Sequence, residues 1–263
     1  MQRFGVIGHP VAHSLSPAIH QAFGRQLGVG LTYEKLAAPE DGFVQVAQQF
    51  FGAGGAGLNV TVPFKADARA WVTEATGDAA STGVVNTIAV EDGRTVGHNT
   101  DGLGLVGDLQ RLGVTLDNAR VLMLGAGGAV QGVLPALLRS GVASITLVNR
   151  TRARADALAE RLPRLQVATH ETLSGAFDLV INGTSAGLSN THIPLQPEFA
   201  QGTVCYDMIY GAGAVFHSWA LELAAQSYDG LGMLVGQAAE AFAIWHGVRP
   251  DVAPVLEQLR SVR

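Results

Sequence analysis

Residues 121–129 have the sequence VLMLGAGGA, and this stretch decides the fold class of the chain around it. Four apolar residues predict a short buried strand, and three glycines at positions 125, 127 and 128 follow it, directly before a helical segment. Glycines in such a turn let the backbone approach a pyrophosphate, which then lies at the N-terminus of the helix. The stretch therefore predicts a dinucleotide-binding strand–turn–helix. Val130 replaces the third glycine of the usual G-x-G-x-x-G pattern, and a plain tight turn is the alternative interpretation.

The end of the following strand indicates which dinucleotide is bound. An NAD-binding fold usually presents an acidic residue about 20 residues further on, where it accepts a hydrogen bond from the ribose 2′-hydroxyl. Residues 149–154 are NRTRAR here, with no acid and with arginines at 150, 152 and 154. Because guanidinium groups bind phosphate in a bidentate manner, the pattern predicts a 2′-phosphate and therefore NADP. The alternative is a solvated helix start, although cations in a first helical turn oppose the helix dipole.

Composition excludes several classes of protein. With 263 residues, 48% of them hydrophobic, the chain predicts one large or two modest α/β domains with a sizeable core. A net charge of −5 with only 17 basic residues argues against nucleic acid as a partner. Cys205 is the single cysteine, so no disulfide forms within the chain, and a reducing cytoplasm is the expected location.

No secretory leader is expected at the N-terminus. Residues 121–138 carry no charge, but glycines, Gln131 and Pro135 interrupt the run, so no membrane span is expected either.

Apolar strands alternate with amphipathic helical segments along almost the whole chain, which predicts α/β architecture with parallel sheets. The first hundred residues form one such series. A helix starting at Asp101 leads to a second series that opens with the strand RVLML, and the chain is helical again from about residue 231.

The stretch NVTVPFK at residues 59–65 predicts a strand, because apolar and polar residues alternate, and predicts that it ends at Pro63, which cannot donate to a ladder. Lys65 follows. Asn86 and Asp101 lie at the predicted ends of other strands, so Asp101 is a candidate to hold Lys65 charged and oriented. Considered alone, such a pair is more often a surface salt bridge than a catalytic dyad.

Two serines precede the first predicted helix. Ser14 and Ser16, in the stretch HSLSP, offer hydroxyls beside a helix N-terminus, which is a suitable place for a carboxylate. The alternative is that Ser16 is a plain N-cap. His9 and His13 are four residues apart, but Pro10 excludes the helical face that a zinc pair would use, so no metal is expected.

Eight motifs together resemble the shikimate dehydrogenase family, in order and in spacing, over essentially the whole chain. Each motif is weak alone and the combination is specific. They are HSLSP, NVTVPFK, VVNT, NTDG, GAGGA, NRT followed by Arg154, YDMIY and DGLGMLVGQAA.

This resemblance implies an oxidoreductase that reduces 3-dehydroshikimate to shikimate with NADPH, in aromatic amino-acid biosynthesis. Lys65 and Asp101 match the catalytic pair, with Lys65 in an interdomain cleft as the proton donor. The substrate ligands would be Ser14, Ser16 and Tyr210 for the carboxylate and Asn59, Thr61, Asn86 and Gln237 for the ring hydroxyls. The NADP ligands would be Gly125, Ala126, Gly127, Gly128, Ala129, Asn149, Arg150, Thr151 and Arg154, with Met208 and Gly230 lining the nicotinamide.

The resemblance also implies two domains. Residues 1–101, completed by the C-terminal helices at 235–263, would bind the substrate, and residues 102–234 would form a Rossmann-like NADP domain. The sequence departs from the commonest family pattern at Leu15, where many relatives carry Lys, at His98, where an acid is frequent, and at Val130-Gln131, where a small residue and Arg are frequent. These departures remove no catalytic group.

Two other functions are compatible with the same motifs. One is a paralogue that acts on quinate, alone or besides shikimate. The other is a non-catalytic NADP-binding regulator, against which the retention of both Lys65 and Asp101 argues. The expected partners are small molecules only, with neither nucleic acid nor membrane, and the chain is expected to be a monomer or a homodimer.

Overall fold

The computed structural model describes residues 1–162, 164–184, 198–211, 214–222 and 226–261. It divides into two compact units, one formed by Met1–Gly104 with Leu234–Arg263 and the other by Leu105–Met233. Both units combine helices with a six-stranded sheet, so the predicted α/β class is confirmed.

The elements alternate along most of the chain. The strands are β1 (Gln2–Gly8), β2 (Leu31–Ala37), β3 (Gly55–Val60), β4 (Glu74–Ala75), β5 (Thr87–Glu91), β6 (Arg94–His98), β7 (Arg120–Leu124), β8 (Ser144–Val148), β9 (Leu165–Ala168), β10 (Ala176–Asn182), β11 (Glu198–Asp207) and β12 (Gln226–Tyr228). The helices are α1 (Ser16–Leu27), α2 (Phe43–Gly52), α3 (Lys65–Trp71), α4 (Gly77–Thr82), α5 (Asp101–Arg111), α6 (Gly128–Arg139), α7 (Arg152–Arg161), α8 (Ala214–Glu222), α9 (Leu231–His246) and α10 (Val252–Ser261).

The sheet of the first unit has the strand order β2-β1-β3-β5-β6-β4 and is mixed. Strand β1 is parallel to β2 and β3, but β5 is antiparallel to both β3 and β6. The prediction of parallel sheets is therefore wrong for this unit. The reason is a tight hairpin between β5 and β6, in which Asp92 and Gly93 both have positive φ, at 49° and 74°. An Asp-Gly pair is a strong sequence signal for such a turn.

The sheet of the second unit has the order β12-β11-β10-β7-β8-β9, and all its pairs are parallel. Strand β7 shows why the sequence is uniformly apolar there. Val121 and Met123 pack into one buried cluster, while Leu122 and Leu124 pack into another on the opposite face. A strand buried on both faces has no polar side. Because β8 and β10 flank β7 on opposite sides, the strand order reverses at β7, which is where doubly wound sheets bind ligands.

The segment that carries Lys65 differs from the prediction. Strand β3 ends at Val60 rather than at Pro63, and Thr61–Phe64 form a turn in which the Phe64 amide donates to the Thr61 carbonyl at 3.1 Å. Val62 is 57% exposed, although the alternating pattern places it on the same face as buried Val60 and Phe64. Lys65 is consequently the first residue of helix α3.

Within the described ranges, no helix is long and apolar enough to cross a membrane.

Candidate active site

Lys65 and Asp101 form an ion pair in the first unit. Each is the first residue of a helix, α3 and α5 respectively, and their side chains are only 12% and 7% exposed. The backbone holds the lysine in place, since the Val85 amide donates to the Lys65 carbonyl at 3.0 Å. An exposed surface salt bridge therefore does not describe this pair. Two mostly desolvated charges interact more strongly than they would in water.

Asn86 connects the pair to helix α9. Its Nδ2 donates to Asp101 Oδ1 at 2.9 Å and approaches Gln237 Oε1 at 3.4 Å. The Asn86 Oδ1 accepts from the Thr100 backbone amide at 2.9 Å. Four residues predicted for the site, Lys65, Asp101, Asn86 and Gln237, are thus brought together by separate segments of the first unit.

Asn59 and Thr61 lie at the end of β3, next to this cluster. Asn59 is 5% exposed, and its amide is engaged within the protein: Oδ1 accepts from the Tyr33 hydroxyl at 2.7 Å, while Nδ2 donates to Thr87 Oγ1 at 3.0 Å and to the Asn86 carbonyl at 3.3 Å. Thr61 is half-buried, and its amide donates to the Ile7 carbonyl. Asn59 has therefore no amide hydrogen left for a ligand.

Ser14 and Ser16 lie together at the N-terminus of α1. The Ser14 hydroxyl donates to Ser16 Oγ at 3.1 Å, and the Ser16 amide donates back to Ser14 Oγ at 3.3 Å. The interpretation of Ser16 as the N-cap is wrong. The helix begins at Ser16, Leu15 occupies the N-cap position, and no side chain caps the helix. Two hydroxyls and a helix start therefore converge, which is the arrangement that a carboxylate needs.

The glycine loop after β7 has the geometry of a diphosphate site. Gly125 has φ 107°, and a Cβ at this position would lie 3.1 Å from the Gly183 carbonyl oxygen at the end of β10. Gly127 is the N-cap of α6 and Gly128 is its first residue. A side chain at 125 would crowd the backbone just after β10, so a glycine is required there, and a glycine turn of this kind at a helix start suits a pyrophosphate. Ala126, within the loop, is buried against the hydrophobic core of the unit, and Ala129 lies in the first turn of α6.

Val130 is accommodated by a glycine on the neighbouring strand end. A Cβ at Gly183 would overlap Val130 Cγ2, and it would also lie 3.2 Å from Met208 Sδ. Val130 itself is fully buried. In the usual motif, the third glycine allows the helix to pack closely on the sheet. Here Gly183 allows that close packing instead.

The loop after β8 carries the predicted arginines. Asn149 Nδ2 donates to the Thr151 carbonyl at 2.8 Å, which closes the loop just before α7. All three arginines are exposed, and Arg152 Nε lies 3.4 Å from Asp156 Oδ2 one turn later. Among the side chains that the structure describes, Arg150 and Arg154 have no acidic partner.

Met208 and Gly230 lie together at the end of β11. The Met208 amide donates to the Asn182 carbonyl at 2.9 Å, and a Cβ at Gly230 would overlap the Met208 carbonyl oxygen. Tyr210 follows two residues after Met208 and belongs, like them, to the second unit. Asp207 anchors this turn, because its Oδ1 accepts from Asn182 Nδ2 at 3.1 Å and from the Ile209 amide at 3.0 Å. Burial raises the pKa of Asp207 to about 6.

Comparison with known proteins identifies the family. A profile described as the shikimate dehydrogenase substrate binding domain matches residues 6–88, a shikimate/quinate 5-dehydrogenase profile matches 109–193, and a shikimate 5′-dehydrogenase C-terminal domain profile matches 230–260. A relative from Alkalilimnicola ehrlichii named shikimate dehydrogenase (NADP(+)) is 49% identical over 265 residues, which cover 98% of each chain. The chain belongs to the shikimate dehydrogenase family.

Solved structures agree with this assignment to the shikimate dehydrogenase family. Shikimate 5-dehydrogenase from Thermus thermophilus, in complex with NADP(H) and shikimate, is 34% identical with a TM-score of 0.88, and each chain is fully covered. An Ael1 enzyme from Pseudomonas putida is 41% identical with a TM-score of 0.91 over 98% of both chains. The predicted family, enzyme class and NADP dependence are confirmed by these relatives.

The shikimate dehydrogenase motifs also contain residues beside the candidate site that sequence reasoning missed. Thr87 and Thr100 stand inside the motifs VVNT and NTDG, directly beside Asn86 and Asp101, yet the strand-end pattern alone did not indicate them. Both are buried and hydrogen-bonded to the site. Tyr33 had no local signal, because it lies 26 residues from its partner Asn59. In the described residues, no group of three or more histidine, cysteine or carboxylate side chains is arranged to hold a metal ion.

Proposed function

We propose that this chain reduces 3-dehydroshikimate to shikimate with NADPH, as a step of aromatic amino-acid biosynthesis. The observation that carries the proposal is the buried Lys65–Asp101 pair, which Asn86 holds in the unit that matches the family's substrate-binding profile. A regulator that only sensed NADP would not need a desolvated acid–base pair at a substrate site.

The residues of the pair have different tasks. NADPH supplies the hydride when it is bound. As the carbonyl carbon is reduced, negative charge develops on its oxygen, and the Lys65 ammonium stabilises that charge and then delivers a proton. Asp101 holds the ammonium in place through Oδ2. It can also accept a hydrogen bond from a neighbouring substrate hydroxyl, because a carboxylate has acceptor sites beyond the two already used by Lys65 and Asn86.

The substrate carboxylate is assigned to the two hydroxyls at the start of α1, where the helix dipole adds to their hydrogen bonds. The ring hydroxyls are assigned to neutral groups, which suit a polyol. Asn59 is left out of this set, because its amide hydrogens are already used within the protein. The full set of substrate ligands is Ser14, Ser16, Thr61, Asn86, Tyr210 and Gln237.

The cofactor is assigned to the second unit, residues 105–233, whose glycine loop lies at the point where the strand order reverses. The diphosphate would lie on the loop and the adenosine phosphate on the arginines after β8. The set is Gly125, Ala126, Gly127, Gly128, Ala129, Asn149, Arg150, Thr151 and Arg154, with Met208 and Gly230 at the nicotinamide. The first unit would then be the substrate-binding domain.

We infer a cytoplasmic protein that acts as a monomer or a homodimer. A single cysteine, buried and with its pKa raised by burial to about 12, needs no oxidising compartment and offers no disulfide.

The test is a direct assay with purified protein. With NADPH and 3-dehydroshikimate, the absorbance of the reduced cofactor should fall, and the double variant Lys65→Ala, Asp101→Asn should abolish that fall. Parallel reactions with NADP⁺ plus shikimate and NADP⁺ plus quinate separate the two substrates: turnover of quinate at comparable efficiency would establish the quinate alternative. Binding of NADPH without turnover of any of the three acids would establish the regulator instead.

A further inference from the structure

Thr87 lies at the centre of a buried hydrogen-bond chain that reaches the catalytic pair. It is fully buried at the start of β5. Its Oγ1 accepts from Asn59 Nδ2 at 3.0 Å and donates to Asn86 Oδ1 at 2.9 Å. Beyond Asn86, the chain continues to Asp101 and Lys65. Thr87 therefore joins the end of β3 to the groups that perform the proton transfer.

The direction of each hydrogen bond follows from two backbone groups. The Thr100 backbone N–H can only donate, so the Asn86 atom facing it at 2.9 Å must be Oδ1, and Nδ2 must face Asp101. The Asn86 backbone carbonyl can only accept, so the Asn59 atom facing it at 3.3 Å must be Nδ2. Both amide orientations are thereby assigned without ambiguity.

The hydroxyl protons of the chain follow from these orientations. Because Asn59 Nδ2 donates to Thr87 Oγ1, the Thr87 proton is free for Asn86 Oδ1 at 2.9 Å, a closer acceptor than the Thr100 hydroxyl at 3.5 Å. At the far end, Asn59 Oδ1 can only accept, so the Tyr33 hydroxyl donates to it at 2.7 Å. Burial raises the pKa of Tyr33 well above its usual range, with the Ser16 side chain acting in the opposite direction, so the phenol remains a donor at neutral pH. The chain runs from Tyr33 through Asn59, Thr87 and Asn86 to Asp101.

We propose that Thr87 is a positioning residue for the reduction, and that Asn59 supports it from behind rather than binding a ring hydroxyl. The Thr87 hydroxyl satisfies the second Asn59 hydrogen, and it adds a second donor to the Asn86 oxygen that the Thr100 backbone amide already orients, which holds Nδ2 more firmly towards Asp101. Replacing Thr87 with an apolar residue would leave a buried Asn59 amide hydrogen without a partner and would remove one donor to Asn86 Oδ1, so the Asn86 amide would be held less tightly against Asp101. This inference rests on the proposed function, since the effect of the Thr87 substitutions is measured as kcat for dehydroshikimate.

The decisive comparison is between Thr87→Val, which keeps the shape and removes the hydroxyl, and Thr87→Ser, which keeps the hydroxyl. We expect Thr87→Val to lower kcat by roughly 5- to 150-fold, which is the range for one buried hydrogen bond lost with an unpaired partner. KM for NADPH should stay unchanged. Thr87→Ser should retain kcat within about twofold, as the same bond is kept. If Thr87→Val does not fold, Thr87→Ala takes its place under the same criteria.

Thr82→Val is the matched control. Thr82 is also a buried threonine of the first unit, but its hydroxyl donates to the Asp78 carbonyl at 2.6 Å and contacts none of the residues of the chain from Tyr33 to Asp101. It should lower the melting temperature and leave kcat unchanged. A second control tests Asn59: the kcat losses of Asn59→Ala and Thr87→Val should be strongly non-additive in the double variant, because both break one chain.

Three results would overturn the inference: parental kcat in Thr87→Val, equal loss in the Val and Ser variants, or additive losses with Asn59→Ala. Each requires a parent enzyme that turns over dehydroshikimate. An inactive parent would instead refute the proposed function, so the two failures are distinguishable.

Discussion

The Lys65 ammonium donates to Asp101 Oδ2 while Asp101 Oδ1 is occupied by the Asn86 amide, so the carboxylate is held on both sides. Its orientation does not depend on the substrate. Groups that stabilise a developing oxyanion are most effective when they are already in position, so under the proposed function this arrangement would favour the transition state over the ground state.

Lys65→Ala should therefore lower kcat by roughly 10²- to 10⁴-fold, the usual range for a positioned general acid, with a much smaller change in KM for dehydroshikimate. The measurement is steady-state kinetics at saturating NADPH. Lys35→Ala is the matched control, since Lys35 is the only other lysine of the chain and its exposed side chain donates to the Ala12 carbonyl. A Lys65→Ala variant with near-parental kcat and poor binding would show that Lys65 is only a substrate ligand.

Replacing both Ser14 and Ser16 with Ala should raise KM for dehydroshikimate by roughly 10²- to 10⁴-fold, because two hydrogen bonds to a carboxylate are lost. The affinity for NADPH, measured by fluorescence titration, should not change. Ser140→Ala is a suitable control, as its hydroxyl donates to the Leu137 carbonyl at the end of α6. Reduced thermal stability with unchanged KM would assign the serines to the helix start alone.

Local patterns predicted much of this site. Lys65 and Asp101 were identified because polar residues follow apolar strands. Asn86 was identified in the same way, but it directly precedes β5, and because β5 is antiparallel to β3 and β6 its start lies beside their ends. The exact end of β3 was not predictable from alternation, since Val62 continues the pattern while the chain already turns. The antiparallel placement of β5 followed from a two-residue signal, Asp92-Gly93, which was overlooked.

The hydrogen-bond chain behind the site could not be predicted in the same way. Tyr33 and Asn59 are 26 residues apart, and Asn59 and Thr87 are 28 apart. Their contact depends on the register of β1, β2, β3 and β5, which is set by tertiary packing. The compensation between Val130 and Gly183 is of the same kind, because it joins a helix to the end of a strand that lies far away in sequence.

The chain should prefer NADP(H) strongly over NAD(H). Hydrogen bonds to charged groups contribute about 1.5–3 kcal/mol each, so two arginines could supply roughly 10²- to 10⁴-fold, less a reduction for their exposure. Arg150→Ala with Arg154→Ala should lower kcat/KM for NADPH and barely alter that for NADH. Arg152→Ala is the control, because Arg152 already pairs with Asp156. Equal use of NADH by the parent would mean that these arginines do not recognise a phosphate.

His20 should make stability depend on pH. Its ring is buried, stacks on Tyr33 with centroids 4.4 Å apart, and has no hydrogen-bond partner of good geometry for either nitrogen. Burial lowers the pKa of His20 to about 3, with Asn59 opposing the shift and His246 adding to it. As the pH falls below about 6.5, the unfolded chain binds a proton that the native chain does not, so native stability falls.

His20→Phe keeps an aromatic ring in this position and removes the titration. Between pH 7.5 and pH 5, the free energy of unfolding of the parent should fall by about 2 kcal/mol more than that of the variant, at about 1.4 kcal/mol per pH unit below 6.5. Urea denaturation at both pH values measures the difference. Identical pH dependence in parent and variant would mean that His20 is protonated in the native state as readily as in the unfolded one.

Val130 and Gly183 should behave as a size-matched pair. Gly183→Ala alone should destabilise the protein by about 1–3 kcal/mol, because the added methyl group overlaps Val130 Cγ2 in a fully buried position where a β-branched side chain cannot turn away. Val130→Ala alone should also destabilise the protein, by opening a cavity.

In the double variant, the new methyl group at 183 occupies part of that cavity. The loss in free energy of unfolding should therefore be smaller than the sum of the two single losses by at least about 0.5 kcal/mol, the threshold for residues in contact. Thermal and urea unfolding of the four proteins measures this coupling. Strict additivity would show that helix α6 moves to relieve the overlap, and that Gly183 is not what admits Val130 in place of the third glycine.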